Sequence, residues 1–262
     1  CGGREACEAC LQRPFASQRK DCVGAWLADE VRAAPLSSSS SGSGASDADG
    51  TASAVTTALC AATELKVAGA VDSCHFIAHD IGVALGETAL QAAPRLDWDQ
   101  LREASHGALN SCDGSAQLRA GSSISGSSMC LDGCKHGVVS TYVAIVYGRP
   151  ADQGGGMAGL TRELPLYCND ARAQYACYHG IGHALFWPST SAALDNYTRG
   201  LLSLTDMMSL CHTLRVSTDG KNNLQHPAWC RGGAYMQLFH NKMQALAREI
   251  GPGVNAVWAH RD

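Results

Sequence analysis

The chain has no excess of positive charge. Its 20 Lys and Arg face 24 Asp and Glu, a formal charge of −4 with a pI near 6.2. That balance offers no basic field to nucleic acid or anionic lipid, and neither is expected as a partner. Long apolar runs are also missing. The longest, Val138 to Tyr147, is half the ~20 residues that a membrane-crossing helix requires, so no membrane span is expected. No charged segment followed by an apolar stretch opens the chain, and a start at Cys1 reads as a processed protein or a fragment. Alternating β-branched runs are scarce, and Val138 to Val146 is the one credible competitor for a strand. No G-x-S-x-G elbow, P-loop or Rossmann glycine fingerprint occurs.

Cysteine is plentiful: 13 in 262 residues. That density is unusual in a reducing cytosol and ordinary in secreted proteins, so an extracellular or cell-surface location is expected. The odd count leaves at least one thiol free, metal-bound or paired outside the chain. Asn196-Tyr197-Thr198 is a glycosylation sequon and points the same way.

The composition divides the chain into three parts. Residues 1–34 form a Cys-rich N-terminal segment whose Cys7-Glu-Ala-Cys10 reads as disulfide material rather than a zinc or redox site, since no second CxxC follows. Residues 35–53 form a Ser/Gly-rich linker or loop that buries little apolar area; its serines, like Asn196, are candidate glycan sites. Residues 54–262 read as a helical repeat domain, with helices expected over 54–68, 73–92, 97–109, 135–148, 169–187, 201–214 and 229–249. The fold class is all-α. Trp187, Trp229, Tyr235 and Phe239 are expected to fill the core or an interhelical face, with a sugar platform as the lesser alternative. Single histidines at 106, 226, 240 and 260 are expected at the surface or as caps.

A short head recurs within the helical part. Cys74-His75-Phe76-Ile77-Ala78-His79 leads into Asp80-Ile81-Gly82, and Cys177-Tyr178-His179-Gly180 leads into Ile181-Gly182-His183. Cys134-Lys135-His136-Gly137 shares the second pattern, and Cys230-Arg231-Gly232-Gly233 keeps the frame without the histidine. From His79 through His136 and His179 to Gly232 the heads recur after 57, 43 and 53 residues, the length of a helical hairpin. The expected architecture is a set of disulfide-linked helical hairpins around a central axis, with Cys168–Cys177 and Cys211–Cys230 as candidate bridges. Glycine survives in a helix where another backbone approaches closely, so the helix starts that carry these heads are expected to crowd together.

The histidines are the candidate chemistry. His75 and His79 lie four apart on one expected helix, and His179 and His183 lie four apart on another. Each pair shares a helix face and reaches a common ion. The expected ligands are His75, His79, His179 and His183, with His136 as a fifth member or an outer donor and Asp80 as a carboxylate that orients a ring. An imidazole-rich site suits a transition metal ion: zinc, copper, iron or nickel. Cys74, Cys134 and Cys177 are thiolate ligands or disulfide halves, and Met207, Met208 and Met236 are soft ligands or core. The competing reading makes the histidines structural, bonded to carbonyls at crowded helix ends; a third makes them catalytic without metal. Phe76 and Gly180 stand where a zincin would carry glutamate, which argues against a peptidase of that type.

The order CHxxxH, CxHG, CxHGxGH, CxGG resembles that of an uncharacterised group of extracytoplasmic Cys/His-rich helical proteins, over roughly residues 70–240. The resemblance implies one folded unit and carries no activity. Three functional classes follow. The first is an extracytoplasmic metal-binding domain, as metalloenzyme or metal carrier. The second is a structural surface glycoprotein or fibre subunit that self-assembles or meets cell-surface partners. The third is a module binding small anionic molecules or glycans at helix starts.

Overall fold

The fold is that of a computed structural model, which describes residues 9–12, 16–34, 54–55, 57–59, 61–62, 74–91, 95–113, 127–170, 174–185, 202, 204–215 and 223–250. Its helices are α1 (Ala16–Ala33), α2 (Cys74–Ala89), α3 (Trp98–Asp113), α4 (Ser127–Gly148), α5 (Gly156–Asp170), α6 (Gln174–Ala184), α7 (Leu204–Thr213) and α8 (Gln225–Ile250). No strand occurs among the described residues, and none of their helices is long and apolar enough to cross a membrane.

Helix α4 is the hub. Every residue from Gly133 to Ala144 is buried, and the helix packs against α2, α3, α5 and α6. A helix covered on all sides has no polar stripe. That is why Val138 to Val146 looks strand-like in sequence and yet is helical here.

Glycine sets how closely the helices cross. A Cβ at Gly82 of α2 would collide with the Cys134 carbonyl, and one at Gly137 of α4 with the His79 carbonyl. The aligned positions of α6 and α8 do the same: Gly182 faces the Cys230 carbonyl and Gly233 faces the His179 carbonyl. These contacts bring the backbones that carry the histidines together.

Disulfides tie successive helices. Cys112–Cys134 joins α3 to α4, Cys168–Cys177 joins α5 to α6, and Cys211–Cys230 joins α7 to α8, across separations of 22, 9 and 19 residues. Loops of this size restrict the unfolded chain by about 3 kcal/mol each. Cys10 pairs with Cys22, so Cys10 is no zinc thiolate, and Cys74 is also disulfide-bonded. The buried Glu163 of α5 takes Arg102 of α3 at 2.5 Å and Arg162 at 2.8 Å. Helix α1 packs on α2 through buried Val23, Leu27 and Val31, with Arg32 paired to Glu87 at 3.0 Å.

Several expectations are corrected. The stretch 169–187 is not one helix: its first two residues end α5 (Gly156–Asp170), whose Pro165 and opening glycines look like breakers in sequence, and α6 (Gln174–Ala184) is a separate helix. The Cys134 head sits well inside α4 rather than at a helix start. Tyr235 and Phe239 are 51% and 68% exposed, not core. His226 is buried, stacked on Tyr178 at 4.0 Å, not on the surface. The serine stretch 35–53, Asn196, Trp187 and His260 lie outside the described residues, as does the side chain of His240.

Candidate metal centre

Three helices deliver the histidines. Helix α2 places His75 and His79 one turn apart, α4 contributes His136, and α6 contributes His179 and His183, all buried. Burying imidazoles among apolar helices is costly unless something satisfies them.

His75, His79, His136 and His183 converge. Each offers a ring nitrogen, and these four atoms lie within 4.8 Å of one another. The six ring-centroid separations among these four residues run from 4.9 to 5.9 Å. Near-equal separations among four points describe a tetrahedron; a square would make its diagonals about 1.4 times its edges. With metal–nitrogen bonds of about 2.0–2.1 Å and each centroid about 1.1 Å beyond its nitrogen, a regular tetrahedral site sets centroids about 5.2 Å apart. The rings therefore already stand at the spacing such an ion needs. The nitrogens themselves lie within 4.8 Å of one another, against the ~3.3 Å edge of a tetrahedral site.

His136 is the clearest orphan. It is 2% exposed, and both its ring nitrogens are buried without a hydrogen-bond partner among the described residues. Burial, reinforced by the imidazoles of His79, His183, His75 and His179, holds its pKa well below the ordinary value and keeps the ring neutral. A neutral imidazole keeps a lone pair for a metal. The expected structural role, hydrogen bonding to a main-chain oxygen, does not describe this residue.

His183 is oriented from behind. Its Nδ1 lies 3.0 Å from Oε1 of Gln237, a buried residue of α8. When Nδ1–H donates to that oxygen, Nε2 carries the lone pair toward the other rings, the arrangement that fixes a ligating tautomer. The sequence reading missed Gln237, which carries no motif and lies 54 residues away.

His179 is placed differently from its expected role. Its ring centroid lies 5.1 Å from that of His136 and 4.9 Å from that of His183, yet it stands outside the four-nitrogen group. It hydrogen-bonds the Trp229 backbone and stacks on Tyr175 at 5.4 Å. Burial and the neighbouring His75 lower its pKa to about 4. His136, expected nearby, takes the fourth place. The carboxylate of Asp80 lies against Gly24 of α1, where a Cβ would strike Oδ2. Cys74, Cys134 and Cys177 are in disulfides and offer no thiolate. Met207 is buried beside the Cys211 sulfur at 3.7 Å, and Met208 meets the Tyr235 hydroxyl at 3.7 Å, so both serve packing.

The four buried imidazoles thus make a group able to hold a metal ion, and the disulfides around them fit an oxidising environment. Comparison of the chain with models of known families, with curated proteins and with solved structures finds no match.

Proposed function

We propose that the chain is an extracytoplasmic metal-binding protein that holds a single transition metal ion through His75, His79, His136 and His183. His179 stands beside the ion as a fifth imidazole, kept in place by its hydrogen bond to the Trp229 backbone. The carrying observation is the near-equal spacing of the four buried rings around His136, whose two nitrogens have no other use among the described residues. An ion there bonds to nitrogens that are otherwise costly to bury. Its role is transport, storage or chemistry at the ion, at the cell surface or outside the cell. No carboxylate belongs to the group, so no general base for hydrolysis stands among the ligands.

Metal analysis of protein purified without chelators tests the reading. It predicts near-stoichiometric metal in the native chain, and His136→Ala lowers affinity by at least about a hundredfold while the disulfides still form. Less than about a tenth of an equivalent after incubation with zinc, copper and iron overturns it.

A second reading, a disulfide-stapled structural subunit, draws on Tyr235, Met236 and Phe239, which leave an apolar stretch of α8 exposed. It predicts a ladder on non-reducing electrophoresis that collapses with reductant. A single monomer band argues against covalent assembly.

A further inference from the structure

We propose that the four-histidine site prefers a univalent ion of filled d shell, Cu(I), over divalent zinc or cupric ion. The inference rests on the metal-binding reading and adds to it the charge and geometry of the ion.

Geometry narrows the choice first. The near-tetrahedral spacing of the four rings, 4.9 to 5.9 Å in every pair, suits ions without a ligand-field preference. Cu(II) and Ni(II) favour square-planar or tetragonal arrangements, which these centroids do not form. Zn(II) and Cu(I) remain.

Charge separates those two. Among the described residues the group consists of imidazoles alone, with no carboxylate or thiolate. The cysteines beside the histidines, Cys74, Cys134 and Cys177, are spent in disulfides. Asp80, next to His79 in the chain, has its carboxylate against Gly24 of α1 and is not a member of the group. Neutral ligands leave the ion's full charge inside the protein. His79, His136 and His183 are no more than 2% exposed, and Ile77, Ile81 and Val139 on the same helices are fully buried. The cost of moving an ion from water into such surroundings rises with the square of its charge, so a divalent ion pays about four times what a univalent one does. Cu(I) keeps the four nitrogen bonds and halves the buried charge.

The test uses the metal-free chain of residues 1–262 under nitrogen. Copper is supplied as acetonitrile-stabilised Cu(I) without thiol reductant, so that the disulfides stay closed. Affinity for Cu(I) is measured by competition with bicinchoninate, and affinity for Zn(II) by competition with a chromophoric zinc chelator. The expected result is stoichiometric Cu(I) with a Kd at least about a hundredfold below that for Zn(II). His75→Asp, which exchanges a neutral ligand for an anion, narrows that ratio at least about tenfold. Zinc bound as tightly as Cu(I), or more tightly, overturns the charge inference and leaves the metal-binding reading standing. Retention of neither ion overturns the charge inference, and failure to retain iron as well overturns the metal-binding reading. The wild-type ratio decides even if His75→Asp does not fold, which circular dichroism reports.

Discussion

At the scale of single residues, the buried imidazoles differ in what they do with their nitrogens. His136 has two buried nitrogens and no hydrogen-bond partner for either among the described residues, whereas His183 uses Nδ1 on Gln237. Removing that orienting oxygen frees the ring to turn. Gln237→Leu is expected to weaken metal binding about 10–100-fold with the helical circular dichroism unchanged, as measured by chelator competition. An unchanged affinity would show that Gln237 does not position the ring. Protonation provides a second check, on the metal-free chain. His179 falls from the ordinary value of 6.5 to about 4 on folding. Between those values the unfolded chain binds the additional proton, so stability is complete above pH ~6.5 and is lost as pH falls toward ~4. His136, lowered in the same direction, adds to the loss. Denaturant melts should show the midpoint falling from pH 7 to pH 4.5 in the wild type and falling less in His179→Gln. Equal losses in the two proteins would assign the acid sensitivity elsewhere.

At the scale of elements, the site depends on glycine crossings. Gly137 lies against the His79 carbonyl, so any side chain there forces α2 and α4 apart. Gly137→Ala is expected to cost about 1–3 kcal/mol or more by overpacking and to disperse the four rings. Gly107, in the interior of α3, has nothing within 4 Å of an added Cβ. Gly107→Ala is expected to be neutral or to stabilise by up to about 1 kcal/mol. Thermal melts of the two variants check the contrast; equal effects would remove close approach as the reason for these glycines. The helices themselves were largely legible, because alanine-rich segments with apolar spacing of three and four declare a helix. Helix α5 was not, since Pro165 and glycines read as punctuation; in the structure Gly154 and Gly156 adopt left-handed φ of 78° and 71° just before and at its first residue. The two HxxxH pairs and His136 lie on helices that meet, and four of these five histidines offer a ring nitrogen to one group. Which four converge was illegible, because that choice depends on where α4 crosses α2 and α6 and not on spacing along any one helix. Gln237 was invisible for the same reason.

At the scale of the whole molecule, covalent bonds and close packing hold a site that apolar burial alone would not favour. The disulfides of α4 and α6 end two residues before His136 and His179, at Cys134 and Cys177, and Cys74 precedes His75 directly. Each bridge is worth about 2–5 kcal/mol in a small secreted domain, so the ring positions belong to the oxidised chain. Reduction by excess dithiol under nitrogen should therefore release bound metal along with tertiary structure; full retention would show that packing alone holds the site. Four imidazoles at tetrahedral spacing should enclose a single ion. Cobalt titration of the metal-free chain tests this most directly, because tetrahedral Co(II) absorbs visible light far more strongly than octahedral Co(II). An intense visible band should saturate at a single equivalent and be lost in His136→Ala. A weak octahedral spectrum, or a band that His136→Ala leaves intact, would contradict it.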